Sequence, residues 1–322
     1  MMERAIMIGN ELRYTRCLVS PFLQPPLLQL IGLLAEKPAV QAIFDGTFVP
    51  PPDTDPYASK LLRQLKKDPA TSTLEMAPVR ITAKDNSAAW KKQRAGTASE
   101  PSTLGFPHFI VGAYDPQVAE FDAVIQTVPY ETGLSPGPWE IITDFQILKQ
   151  AGVYNVELCR SLSLFDAQFN MNNKILARAM MSHAEKAGTL SDSQFGSRKG
   201  LSAIMVATGK TLNYDIIRQK RVSATHVGLD AAQCYDRMAH PPTALCMIKH
   251  GAPPTAIHSM FAVLQNAEHK VTTAFGVSTA TYGGKHREVR GELPNQGSGQ
   301  GSGSGPGGWA VESTEIVGVM ED

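Results

Sequence analysis

The chain has 322 residues, 43% of them hydrophobic, enough for a substantial core and for two domains on size alone. Lys plus Arg and Asp plus Glu both number 30, so no overall basic charge argues for a nucleic-acid surface. Four scattered cysteines (Cys17, Cys159, Cys234, Cys246) form no C-x-x-C and no Cys/His cluster, which excludes a disulfide framework and a zinc site and fits a reducing compartment.

Taken in chain order, residues 1–105 form a region without a readable role. Leu27–Leu34 predicts a short apolar helix, residues 49–56 a loop rich in Pro and Asp, and Ser59–Lys67 a helix by its charge and Leu spacing. Its basic run is read as a solvated face. Pro25, Pro26, Glu36, Lys37 and Pro38 interrupt the apolar stretch there, and no signal-peptide pattern precedes it, so no membrane span is expected and the chain is placed inside the cell, in nucleus or cytoplasm. Ala95–Pro107, rich in Gly, Ser, Thr and Pro, reads as a boundary or an ordered loop.

The pattern sharpens after Phe109. Between Thr143 and Arg221 eleven Lys/Arg face six Asp/Glu, a local basic bias. Asn172-Asn173 predicts the cap of a helix over Lys174–Ala187 that Gly188 ends. His183 sits on its apolar stripe and reads as a packed residue rather than a ligand. Leu201–Lys220 repeats helical spacing through Ile204, Met205, Leu212 and Ile216. "RVSATHVGLD" is short and β-branched and predicts a strand ending at Asp230. Pro241-Pro242 and Pro254 open two further helices, "KVTTAFGV" reads as a strand, "TYGG" as a turn, and a helix is expected from Trp309. The sum is an α+β chain.

Two stretches carry chemistry. In "VGLDAAQCYDRM" a carboxylate at a strand end is followed five positions on by Tyr235. A rigid Asp230 is a suitable oxygen ligand for a hard divalent cation, and the ring could wall the adjoining pocket. A solvated Asp opening a turn accounts for the pattern equally well. "PNQGSGQGSGSGPGGW" has the composition of a flexible tether, yet only the short stretch from Ala310 follows it.

These stretches resemble blocks of reverse transcriptases (RNA-directed DNA polymerases) of the non-LTR retrotransposon type. "VGLDAAQCYDRM" is similar to motif A. The resemblance implies Asp230 as catalytic metal ligand, Tyr235 as the gate against a ribose 2′-hydroxyl and Asp236 as a second, mainly structural acid. "LKQAGVYNVELCRSLSL" resembles the fingers segment that grips the incoming triphosphate, with Lys149 and Arg160 on those positions; ordinary surface charge is the alternative. "LSDSQFGSRKGLSAI" resembles Gln-x-Gly-Phe-Arg-x-Gly-Arg-Ser through Gln194, Gly196, Arg198 and Gly200, with Ser197 where Phe is usual. "QGSGSGP" resembles motif B, with Gly305 in place of Ser, Gln300 near the incoming nucleotide and Gly301 beside it; "NQG" at 295–297 is a second register. The likeness spans residues 109–311.

It implies fingers at 106–221 and a partial palm at 222–322, an antiparallel palm sheet framed by long helices. It implies a nucleotidyltransferase that uses Mg2+ (or Mn2+), an RNA template, a DNA primer and deoxynucleoside triphosphates. No aromatic-x-Asp-Asp of motif C follows Pro306, so the chain is expected to be cut off before that motif and inactive alone. A dead remnant that at most binds nucleic acid, and an unrelated phosphate binder with a Gly-rich loop, are the alternatives.

Overall fold

Proline, glycine and capping side chains decide where the helices lie. The computed structural model describes residues 2–69, 80–153, 155–156, 159–225 and 231–321. The first region is helical: α1 (Met2–Thr15), α2 (Leu27–Ile31), α3 (Ala39–Asp45), α4 (Pro56–Gln64), α5 (Ala83–Lys91), α6 (Phe106–Gly112) and α7 (Pro116–Thr132). Asp55 caps α4 by accepting from the amides of Tyr57 and Ala58 at 2.9 and 3.0 Å, with Pro56 at the first helical position. After strands β1 (Ile141–Leu148) and β2 (Cys159–Leu164) come α8 (Ala167–Ala187), α9 (Ala203–Lys220), α10 (His240–Lys249) and α11 (Pro254–Asn266). Strands β3 (Glu268–Thr273), β4 (Gly276–Val277) and β5 (Tyr282–Gly283), then α12 (Gly284–Val289) and α13 (Gly305–Glu321), complete it. Among the described residues no helix is long and apolar enough to cross a membrane, and no disulfide joins the four cysteines.

One apolar core joins the early helices to the rest. Ile31, Leu65, Trp139, Phe165, Met180, Leu245, Phe261 and Val311 belong to the same buried cluster, so residues from all three sequence regions share it. A smaller cluster sets Trp90 flat against Phe109, ring centroids 4.7 Å apart.

The chain is mixed α+β, and its sheet is small and open, in the order β2-β1-β3-β4 with β5 also on β3. β1 and β2 are antiparallel, pairing Asp144 with Ser163 and Ile147 with Arg160. β1 and β3 run parallel, from Ile141 beside Glu268 to Phe145 beside Thr272. The expectation of an antiparallel sheet is corrected here: between β1 and β3 the chain makes a long helical crossover and returns in the same direction, which a hairpin cannot do.

Other expectations shift as well. The helix expected from Lys174 begins a full two turns earlier: Asp166 accepts from the amides of Gln168 and Phe169 at 2.8 and 3.0 Å, and Asn172 and Asn173 lie buried inside it. An aspartate preceding the first apolar turn outcompetes the later asparagines because it reaches both unpaired amides. "TYGG" is not a free turn, since Tyr282 and Gly283 pair with His269 and Glu268. The last helix starts inside the Gly/Ser run, at Gly305. In "RVSATHVGLD" residues 222–225 form no strand, because they leave α9 as exposed chain with no ladder partner among the described residues; residues 226–230, Asp230 among them, lie outside the described residues. Helix α9 is present, but Ile204 and Leu212 of its stripe are 76% and 57% exposed.

Candidate functional site

The Gly/Ser run is a built loop. Its amides and carbonyls are spoken for by three distant segments. Gln296 N–H donates to Tyr14 O at 3.1 Å, Gly297 N–H to Met238 O at 2.9 Å and Ser298 N–H to Tyr235 O at 2.8 Å. In the other direction Ser163 N–H of β2 donates to Gln300 O at 2.8 Å, and the Asn170 side-chain amide to Gly301 O at 3.1 Å. His240, fully buried, donates from Nε2 to Gly297 O at 2.8 Å while Gln265 donates to its Nδ1 at 3.0 Å. Asn295, Gln296, Ser298, Ser302 and Ser304 are all buried. A solvated tether would bury none of them.

The glycines are dictated by this packing. Gly297 has φ +85°, and a Cβ there would stand 2.7 Å from Tyr235 O. Gly301 has φ +126°, and a Cβ would run into Ser163 O. Both positions demand a left-handed backbone and a missing side chain together.

Tyr235 and Asp236 lie in a short 3-10 turn, Cys234–Arg237, against this loop. A Cβ on Gly305 would touch the Tyr235 ring at 3.4 Å, so the half-buried ring packs on the start of α13. Asp236 is 3% exposed with Oδ1 unpartnered. Burial raises its carboxyl to about 6, with Asp144 adding to the rise and Arg13 and Lys149 opposing it.

Lys149 therefore acts on the same carboxyl, from an exposed position just after β1. Arg160 pairs with Ile147 on β2 and is exposed, while its neighbour Ser161 is buried. Side chains alternate along a strand, so Arg160 points to the sheet face opposite Asp144, Ser161 and Ser163. Gln300 and Gly301 sit at the loop's turn and contact β2 and α8 through their carbonyls. Arg198 is engaged elsewhere: it makes a two-pronged ion pair with Glu185 at 2.7 and 2.9 Å and donates to Ser191 O and Gln194 O. Its block still meets the loop's helix, because Gln194 donates to Ala310 O at 3.2 Å and Ser197 to Pro306 O at 3.0 Å. His183 packs as expected, half-buried, with Nδ1 3.1 Å from His250 O.

Sequence reasoning missed the polar centre beneath this loop. Asp144 on β1 is fully buried. Ser163 donates to its Oδ1 at 3.0 Å, and His269 Nδ1 lies 3.0 Å from Oδ2, which also accepts from the Tyr282 hydroxyl. Tyr14 closes the group, its hydroxyl 3.0 Å from Ser163 Oγ and its ring 5.3 Å from that of His269. Burial and the Asp144 charge hold the phenols of Tyr14 and Tyr282 well above their ordinary range. The four partners come from α1, β2, β3 and β5, and the alternation in "IITDFQIL" would have put Asp144 on the polar outer face with Gln146, whereas it is Phe145 and Ile147 that are exposed.

A divalent cation needs several free oxygen ligands. Both oxygens of Asp144 are occupied by protein donors, and among the described residues no group of three or more His, Cys, Asp or Glu is arranged to hold a metal. Asp236 offers one open oxygen. The described residues alone do not fit a magnesium site; Asp230, the metal ligand expected from the sequence, lies outside them. No family model matches the chain, and no curated protein matches it.

Proposed function

We infer that the chain is a reverse transcriptase-like polypeptide, the fingers and part of the palm of a retroelement polymerase, with a template, a primer and a deoxynucleoside triphosphate as its ligands. One observation carries the reading. The three segments that resemble motif A, motif B and the fingers block pack on one another through the Gly/Ser loop, from Tyr235 and Met238 on one side to Ser163 on the other. A polymerase site needs these blocks side by side, and their meeting at one loop supports the reading.

In this reading the Tyr235 ring borders the sugar of the nucleotide, Gln300 and Gly301 lie beside its base, and Lys149 draws its phosphates as a point charge. Asp230 is the metal ligand, and Asp236 supports the turn that carries Tyr235. One aspartate cannot fix two cations beside a triphosphate, so bond formation requires the carboxylates of a motif C. The phosphate-binder alternative is disfavoured because the loop amides of Gly297 and Ser298 already donate to protein carbonyls and are not available to an anion.

The test is binding of a DNA primer annealed to an RNA template, with and without matched nucleotide and magnesium. The expected result is a complex that retains the matched nucleotide over a mismatched one, with Asp230→Asn weakening divalent-metal binding in a direct titration while the fold melts normally. Nucleic-acid binding that ignores both the nucleotide and Asp230→Asn would leave the remnant reading in its place. Absence of binding to the primer–template would remove both.

A further inference from the structure

A second cavity lies away from that loop, on the far side of the short turn that carries Tyr235. It has a volume of about 410 Å3, within the range of small-molecule sites. Its walls are apolar: Phe22, Ala58 and Leu61 on one side, Pro242, Ile316 and Val319 on the other. They come from the early helices, from α10 and from α13, so the cavity is a junction between elements rather than a crease in one of them.

One buried acid lines this apolar space. Glu312 on α13 is 8% exposed, and Thr243 Oγ1 donates to its Oε2 at 2.8 Å. Among the described residues no Lys, Arg or His pairs with it, in contrast to Glu315 one turn along, which holds both Lys249 and His250 at 2.8 and 2.7 Å. Burial without a countercharge pushes the Glu312 carboxyl up to about 7. A buried carboxyl with one hydroxyl donor has acceptor capacity left over. The mouth carries one cation, Arg237, and one anion, Asp55, so it does not select for charge; the interior does.

We propose that this cavity is a binding site for a small molecule with an apolar body and a single ammonium group, the body filling the space between α4, α10 and α13 and the ammonium pairing with Glu312. The pairing supplies the countercharge the acid lacks, and the apolar walls strengthen it by excluding water. The neighbouring thiol of Cys17 plays no part: burial holds it at about 12.

The site can be tested on the full chain by calorimetric titration at about pH 8, where a carboxyl of this kind is ionised, with three probes of one shape: benzylamine, benzyl alcohol and benzoate. Benzylamine should saturate one site. Glu312→Gln keeps an acceptor for Thr243 and should weaken benzylamine about tenfold while leaving benzyl alcohol unchanged. Leu61→Trp fills the cavity from its rim and should abolish binding of both. Should Glu312→Gln fail to fold, the benzylamine-over-alcohol preference in the unmodified chain and its loss in Leu61→Trp still decide the matter. No saturable binding, equal benzylamine affinity in Glu312→Gln, or a preference for benzoate would overturn the proposal.

Discussion

Ser163 on β2 donates its backbone amide to the carbonyl of Gln300 at 2.8 Å, so the edge of the sheet is continued by the Gly/Ser loop rather than by another strand. An open edge amide is a liability in a folded chain, and here the loop removes it. The loop's rigidity therefore derives from strands and turns that lie far away in sequence.

The loop's glycines can be ranked on that basis. Gly297→Ala would bring Cβ against Tyr235 O and Asp236 O in a backbone with φ +85°. It should cost about 2–4 kcal/mol, from a left-handed residue with a Cβ plus displaced backbone. Gly291 has φ +69° with open space around it, so Gly291→Ala should cost only about 1 kcal/mol. Urea unfolding of the two variants checks the difference; equal losses would mean that the loop is not seated on the Tyr235 turn.

The Asp144 centre predicts a second loss. Tyr282→Phe removes a hydroxyl donor from a fully buried carboxyl and should destabilise the chain by about 1–3 kcal/mol. Ser163→Ala should act similarly and, because Ser163 also meets Tyr14, should couple to Tyr14→Phe in a double-mutant cycle. Strict additivity would show that the hydroxyls act independently.

His240 sets the acid limb. Its Nε2–H is given to Gly297 and its Nδ1 accepts from Gln265, which fits the neutral ring only. Burial lowers its affinity for a proton to about 4 from 6.5. The unfolded chain therefore binds the proton first as pH falls, and stability drops between about 6.5 and 4. His240→Asn should flatten that limb, whatever its effect at neutral pH, in chemical unfolding followed across pH.

Asp236 acts with the opposite sign. Its carboxyl is raised from 3.8 to about 6, so the folded chain holds the proton longer. Stability from this group is full below about 3.8 and is lost as pH rises through about 6. Asp236→Asn should raise the melting temperature more at pH 7.5 than at pH 4.5. A larger gain at the lower pH would refute the burial account.

Lys149 and Arg160 separate by position. Replacing both with Ala should weaken nucleotide binding and reduce its dependence on salt, and Lys149→Ala should account for the larger share because its charge reaches Asp236. Equal affinity in the double variant would remove both residues from the site. Arg160→Ala as the dominant single change would mean that the nucleotide lies on the Phe145–Ile147 face of the sheet instead.

Local chemistry determined much of this chain by itself. Proline set helix starts within one turn at Pro241 and Pro254, because that signal acts through neighbours in sequence. The expected single strand "KVTTAFGV" is instead β3 turning back at Ala274-Phe275 into β4, a pairing of Thr272 with Val277 that β-branched content does not reveal. What the sequence could not decide was who meets whom. Asn172 and Asn173 read as a cap until Asp166 took the role. The β1–β3 pairing is parallel because a long crossover returns the chain the same way. The Gly/Ser run is ordered because carbonyls of Tyr14, Tyr235 and Met238 and the amide of Ser163 converge on it. Those partners are supplied by the tertiary structure alone, since a backbone hydrogen bond leaves no mark on the identity of the residue that makes it.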